Sequence, residues 1–351
     1  MKQPPSSVCI LRLSAIGDVT HMVPVVRTLQ KHWPNTKLTW IIGKNEASLV
    51  QDFPDIEFIE FDKSHSFTSY RHLSKVIKKR VFDVLICAQV SLRANFISSL
   101  INAKLKLGYD KARAKDLHRL FIDESIPANT KQHVLDSFFS FIEYLGLHER
   151  ELTWDYIIPE EAHKFAEKYI DKNRFNLIIS PCSSHPKRNW RSEYYAAVAD
   201  FAATTLDAQI ILCGGPSKIE IKTGQEIEQH MQTPAINLIG KDTLKKFLAI
   251  LKRADAIITP DSGPAHMATG FNTPVIGLHA ASNPNRSGPY LSQNWCIDKY
   301  DEAAVKFNNK SSGELKWGTK LEYDGVMDLI SVEDVVNKLT LLSKQQTKSR
   351  I

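Results

Sequence analysis

A chain of 351 residues is longer than the ~100–200 residues of a usual domain, so two domains are expected. Its 43% hydrophobic and 24% charged residues describe a globular rather than a disordered protein, and a net charge of +6 on basic residues spread along the chain does not call for nucleic acid. No apolar segment nears the ~20 residues that cross a bilayer, residues 1–7 lack a signal-peptide core, and the five cysteines form no C-x-x-C pair and read as buried reduced thiols, which together predict a soluble cytoplasmic protein.

The run Val8-Cys9-Ile10-Leu11-Arg12-Leu13 predicts a strand buried on both faces that opens directly into Ser14-Ala15-Ile16-Gly17-Asp18. A helix is expected from about 19 to 31, with Pro24 tolerated only near its start, and then a turn at Trp33-Pro34. Strands follow at 38–42 and 56–61, a helix at 70–79, a strand at 84–88, a helix at 92–101 and a short strand ending at Gly108-Tyr109. The basic stretch Lys111, Arg113, Lys115, His118 and Arg119 reads as a solvated loop or helix face, and a helix over 133–145 closes the first half. A connection at 154–159 and a helix over 160–170 lead into a second half, with strands expected at 176–180, 208–212, 236–238, 256–259 and 273–278. This alternation predicts an α/β fold with a doubly wound, Rossmann-like sheet in each of two domains, 1–155 and 156–325. Residues 326–351 form a helix and a polar tail, frayed from Ser343, that can run back toward the first domain.

Open parallel sheets hold ligands at the carboxyl ends of their strands, so two such domains are expected to face a central cleft there. The motifs follow predicted strands: residues 14–18, 181–190, 214–216 and 261–266. There is no G-x-G-x-x-G after the first strand, no P-loop and no G-x-S-x-G elbow, which argues against nicotinamide binding, P-loop phosphoryl transfer and Ser262 as a nucleophile. H-E-x-x-H and paired C-x-x-C zinc spacings are absent too.

In the first half, Asp18 can take a proton from an acceptor hydroxyl, or it can cap a helix. Gly17 lets the backbone approach a ligand, Arg12 can meet an acidic acceptor group or be a strand-end charge, and His21 lies one turn further on. In the second half, Pro181-Cys182-Ser183-Ser184-His185-Pro186-Lys187-Arg188-Asn189-Trp190 combines hydroxyls with adjacent cations, suited to phosphate oxygens or to a solvated turn. Ala256 to Ala268 reads as strand, tight turn and helix, with Pro264 in the first helical turn, an arrangement expected to meet a diphosphate. There Asp261 either holds the turn or contacts a sugar hydroxyl or a cation, and His266 either donates to a phosphate oxygen or serves as a structural hydrogen-bonder.

The run Leu11-Arg12-Leu13-Ser14-Ala15-Ile16-Gly17-Asp18-Val19-Thr20-His21-Met22-Val23-Pro24 resembles the opening motif of the ADP-heptose:lipopolysaccharide heptosyltransferases, glycosyltransferase family 9. Asp261-Ser262-Gly263-Pro264-Ala265-His266, with Pro274-Val275-Ile276-Gly277-Leu278, is similar to that family's donor signature, and Arg188-Asn189-Trp190 and Gly214-Gly215-Pro216 stand in the expected order. The resemblance implies a GT-B fold with an N-terminal acceptor domain and a C-terminal nucleotide-sugar domain. It also implies a metal-independent, cofactor-free, inverting transfer of L-glycero-D-manno-heptose from ADP-heptose to Kdo of lipid A or to inner-core heptose, at the cytoplasmic face of the inner membrane. By carry-over, Asp18 is the general base, Ser183, Ser184 and Arg188 hold the diphosphate, and the turn with Asp261, Ser262, Gly263 and His266 cradles the donor beside Gly214 and Gly215. Many relatives carry Lys two residues before the Trp, so Lys187 and Arg188 compete for that place. Arg12, Gly17, His21, Arg93, Arg113 and Arg119 are the acceptor-side candidates. Arg188, Ser14-Ala15-Ile16-Gly17 and the run Asn283 to Tyr290 lean toward the heptosyltransferase I branch. The other readings are a GT-B enzyme using another nucleotide sugar and a silent nucleotide- or glycan-binding protein, the latter disfavoured by paired motifs in both halves. Nothing in the residues sets an oligomeric state.

Overall fold

A computed structural model of the chain describes residues 3–350, and side chains through 346. Met1, Lys2 and Ile351, the outermost residues of the expected domains, lie outside the described residues. The chain divides into two compact units between Ile157 and Ile158.

The first unit is built on β1 (Ser7–Leu11), β2 (Lys37–Gly43), β3 (Ile56–Phe61), β4 (Phe82–Cys87), β5 (Ala103–Gly108) and β6 (Glu124–Ser125), all parallel in the order β3-β2-β1-β4-β5-β6. Every side chain from Val8 to Leu11 is buried, because β1 is central and covered on both faces. Cys9, Leu11 and Ile41 enter one core with Leu73, Ile77 and Ile97 from the helices Ser66–Ile77 and Leu92–Leu100, while the helix Ile16–His32 packs against the helix Val134–Tyr144.

In the second unit, β7 (Phe175–Ile179), β8 (Ala208–Leu212), β9 (Ile236–Asn237), β10 (Ala256–Pro260), β11 (Val275–His279) and β12 (Ile297–Asp298) are parallel in the order β12-β11-β10-β7-β8-β9. Counted from its own first strand, this is the same doubly wound order as in the first unit. The order reverses between β1 and β4 and again between β7 and β10, and a doubly wound sheet opens a crevice at each such reversal. Pro260 ends β10 one residue later than expected, at a position where only β11 still pairs with it.

Two differences from the sequence reading have physical causes. The helix expected from 19 begins at Ile16, which moves Pro24 into its interior. Pro24 has no N–H to offer the Thr20 carbonyl, and the indole N–H of buried Trp154 donates to that carbonyl at 3.0 Å instead. The terminal helix Val332–Arg350 runs on through the stretch expected to fray. Its Val335, Leu339 and Leu342, spaced four and three apart, are buried in the core of the second unit. Burial of side chains of this size contributes about 1.5–3 kcal/mol each.

Candidate active site

At the carboxyl end of β1, Arg12 leaves the strand with its guanidinium turned toward the end of β4, where Nη1 donates to the Ala88 carbonyl at 2.6 Å. Its Nη2 pairs with the Asp18 carboxylate, and its Cζ lies 5.3 Å from the Phe138 ring centre. Asp18 occupies the first turn of the helix Ile16–His32, and the same Oδ2 accepts the Ala15 N–H at 3.2 Å. The helix-capping and ion-pairing roles of Asp18 therefore coexist. From the end of β4, Gln89 Oε1 accepts the Leu13 N–H at 2.7 Å and the Ser14 N–H at 3.3 Å, fixing the turn into which Gly17 is buried.

The remaining acceptor candidates have different surroundings, and Arg113 lies 5.3 Å from the ring centre of Tyr109, a group that also feels the charges of Arg12 and Asp18. His21 is buried, edge-on to His133 with ring centres 5.4 Å apart, a packed rather than an open position. Arg113 is held by an ion pair to Asp110 and by donation to Gln132 Oε1 at 3.0 Å and to the Pro127 carbonyl at 2.8 Å. Arg93 and Arg119 are exposed, on the helix Leu92–Leu100 and on the loop after β5.

In the second unit, the turn after β7 folds on itself. Asn189 Oδ1 accepts the Ser183 N–H at 2.7 Å, Ser183 Oγ donates to the His185 carbonyl at 2.9 Å, and Arg188 Nη2 donates to Ser184 Oγ at 3.3 Å. Trp190 anchors the end of this turn, buried against Tyr195 and donating to the Ile330 carbonyl at 3.0 Å. A strap from Lys320 to Ile330 runs along it: Glu322 pairs with Arg188 at 3.0 Å, Asp324 with Lys187 at 3.3 Å, and Asp328 accepts from Arg191 Nε at 2.6 Å. Arg188 is turned inward and Lys187 outward, with side chains 17% and 42% exposed.

After β10, Asp261 is buried, paired with Lys320 Nζ, and accepts from Ser287 Oγ at 3.1 Å. Burial works against its charge, but Lys320, His279 and His266 together hold the carboxyl well below the ordinary carboxylate range. Burial pushes His279 down to about 4 against the pull of Asp261, so the ring is neutral at neutral pH, with Nδ1 3.1 Å from Ser282 Oγ. Burial also lowers Lys320, and the positive charges of Arg188 and Arg286 add to that effect. The Ser183–Arg188 turn and the Asp261–His266 turn are thus electrostatic neighbours. Ser262 caps the short helix Gly263–Thr269 without a side-chain cap bond, its Oγ 2.8 Å from Thr259 Oγ1. Arg286 lies over Gly318, whose φ of +90° suits glycine and whose added Cβ would come 2.7 Å from Arg286 Nε.

Gly214 and Gly215 form a third turn, after β8, where the Glu220 carboxylate accepts the Gly215 N–H at 2.8 Å and the Ser217 hydroxyl at 2.6 Å. A Cβ on Gly215 would meet that carboxylate at 2.9 Å. Nearby Asp242 is pushed up to about 7 by burial and by the Glu220 charge, with its Oδ2 lacking a hydrogen-bond partner. The five cysteines are free, four of them buried. Among the described residues no group of three or more His, Cys, Asp or Glu is placed to hold a metal ion, and no helix is long and apolar enough to cross a membrane. A cavity of about 660 Å³ lined by Trp33, Lys37, Glu57 and Arg80 opens at the amino ends of β1 to β4, the edge opposite Arg12 and Asp18, and contains none of the predicted residues.

Lys320, Ser287, Glu322, Glu220 and His279 escaped the sequence reading. Ser287 lay inside a run already singled out, and Ser217-x-x-Glu220 is a capping-box signal, whereas Lys320 and Glu322 sit in a stretch with no periodicity.

This chain is 40% identical over 338 residues to the lipopolysaccharide core heptosyltransferase OpsX of Haemophilus influenzae, covering 96% of this chain and 97% of the relative. Among solved structures it is similar to a glycosyl transferase family 9 protein of Veillonella parvula (TM-score 0.78, 22% identity, 97% of both chains). A second similar structure is the E. coli heptosyltransferase WaaC with ADP-2-deoxy-2-fluoro heptose (TM-score 0.63, 17% identity, 82% of this chain and 97% of that one). These likenesses identify the pair of doubly wound sheets as the domains of a GT-B fold. With a family model described as glycosyltransferase family 9 (heptosyltransferase) matching residues 70–317, the chain belongs to that family.

Proposed function

We propose that the protein transfers L-glycero-D-manno-heptose from ADP-heptose to Kdo, or to an inner-core heptose, of a lipopolysaccharide acceptor, with inversion and without a cofactor. The observation that carries this reading is the partly exposed Asp18 carboxylate, oriented by Arg12 and by the Ala15 N–H at the carboxyl end of β1 in a family 9 chain. Asp18 takes the proton of the acceptor hydroxyl as that oxygen bonds to the anomeric carbon and the bond from that carbon to the diphosphate breaks. Negative charge grows on the departing ADP, and Arg188 with the hydroxyls of Ser183 and Ser184 supplies donors for it. The inward side chain of Arg188 and its bond to Ser184 favour it over Lys187 for this task. Asp261, its charge already matched by Lys320, shapes the donor pocket rather than moving a proton. Arg93 and Arg119 meet acidic groups of the acceptor, and the protein works as a peripheral protein at the cytoplasmic face of the inner membrane.

The test is to incubate the protein with ADP-heptose and defined Kdo-lipid A acceptors and to weigh the products. Addition of one heptosyl residue is expected, with ADP outcompeting UDP and GDP in a thermal-shift panel. Absence of product with every acceptor, or preference for UDP, would overturn the assignment.

A further inference from the structure

Positive charge is less evenly spread than the chain's total of +6 suggests. Residues 63–122 hold thirteen Lys and Arg against three Asp and no Glu, a net +10, so the remaining residues are together net −4. The same segment carries six large apolar side chains turned to solvent: Leu120 (76% exposed), Phe67 (73%), Leu117 (66%), Leu92 (64%), Val81 (63%) and Phe96 (51%).

All but Val81, which precedes β4 at the opposite edge, belong to one edge of the first unit. Phe67 and Leu92 stand in the first turns of the helices that follow β3 and β4, and Leu117 and Leu120 lie on the loop after β5, so they are near the carboxyl edge that also carries Arg12 and Asp18. Contacts knit the pieces together. Tyr70 and Phe96 meet edge to face at 5.0 Å, Arg71 lies over the Phe67 ring at 5.9 Å, and Asn95 Nδ2 donates to the Asp116 carbonyl at 2.6 Å.

The loop is pinned. Buried His118 accepts the Tyr109 N–H at 3.1 Å on Nε2 and meets Asn95 Oδ1 at 2.8 Å through Nδ1. Leu117, with φ of +60°, is therefore held outward in a conformation that a branched apolar residue rarely adopts. The same edge carries exposed Arg71 and Arg93, in the early turns of those two helices, and exposed Lys111, Lys115 and Arg119 on the loop after β5.

We propose that this edge is a docking surface for an anionic lipid bilayer, with the apolar side chains entering the headgroup boundary and the cations meeting lipid phosphates. Apolar side chains rimmed by Lys and Arg are the composition that binds such interfaces. A second copy of the chain is disfavoured as the occupant because it would set one strongly positive face against another. The inference takes the acceptor side of the molecule from the proposed function, and it adds a reason for the patch to stand there: the hydroxyl to be glycosylated comes from a lipid.

The test is co-sedimentation of the full chain with vesicles of phosphatidylethanolamine and phosphatidylglycerol (3:1), compared with phosphatidylcholine alone, at low and high salt. Binding to the anionic vesicles that weakens with salt is expected. The triple variant Phe67→Ser, Leu117→Asn, Leu120→Ser should lose more than 10-fold in binding, and Arg71→Glu with Lys115→Glu should lose a comparable factor, both with unchanged thermal midpoints. Heptose transfer to a deacylated, water-soluble acceptor should be the same in the triple variant as in the parent. A parent protein that stays in the supernatant with anionic vesicles at low salt, or a triple variant that binds as tightly as the parent, overturns the proposal. A dimer abolished by the triple variant, without vesicle binding, overturns it in favour of self-association. Failure of transfer to every acceptor would sink the proposed reaction while leaving vesicle binding to be read on its own.

Discussion

Two aspartates follow central strands at the crevices of two sheets with the same strand order, and their surroundings set them apart. Asp18 keeps a side chain 30% exposed, with one guanidinium and one backbone N–H as partners, whereas Asp261 is 8% exposed and enclosed by Lys320, Ser287, His279 and His266. A carboxylate that must receive a proton needs access and an unfilled lone pair. One that is only to hold a positive frame in place is better sealed. The same residue type on the same kind of turn thus supports a proton acceptor in one unit and a fixed charge in the other.

The contrast is broken most severely by Asp18→Asn, which is expected to lower transfer by roughly 10²–10⁴-fold while calorimetric ADP affinity stays within about 2-fold. Turnover near the parent's would remove Asp18 as the base. Lys320→Met leaves the buried Asp261 charge without its ion pair and is expected to cost about 3–5 kcal/mol in denaturant unfolding. An unchanged midpoint would mean that the Lys320 ion pair is not what stabilises the buried Asp261 charge. Trp154→Phe sharpens the comparison on the Asp18 side, because it orphans the Thr20 carbonyl beneath the helix carrying Asp18. A loss of about 1–3 kcal/mol is expected, and a silent variant would show that the helix tolerates Pro24 unaided.

The last is a pH effect in the second unit. Asp242 holds its proton to about 7 in the folded chain but to only about 4 when unfolded, so the folded form binds more protons between those values and stability falls as pH rises through them. Asp242→Asn should therefore raise the thermal midpoint at pH 8 and barely change it near pH 4. Equal shifts at both values would rule out titration as the cause.

The central strands were legible because each is a short β-branched run buried on both faces, as at Ile257, Ile258 and Thr259. Of the two-residue edge strands, β9 was expected from the run at 236–238, whereas β6 and β12 were not, since no apolar run marks either of them. Pro24 displaced the predicted helix start because the residue that compensates for it, Trp154, lies 130 residues away. The site divides in the same manner. Ser183, Arg188 and Asp261 announce themselves through local turn chemistry, while Lys320 and Glu322 acquire their roles only from the tertiary path of an irregular segment. His21, one turn past Asp18, is buried edge-on to His133, a neighbour that its spacing in the sequence does not reveal.

The strap from Lys320 to Ile330 gives the cationic turn after β7 its own counter-ions. Because Glu322 holds the Nε edge of Arg188 at 3.0 Å, donor binding in the proposed reaction is expected to exchange that internal carboxylate for an external phosphate. Such an exchange keeps the empty site from presenting bare positive charge to every passing anion. It also makes the salt dependence of ADP affinity shallower than the number of cations around the turn would suggest.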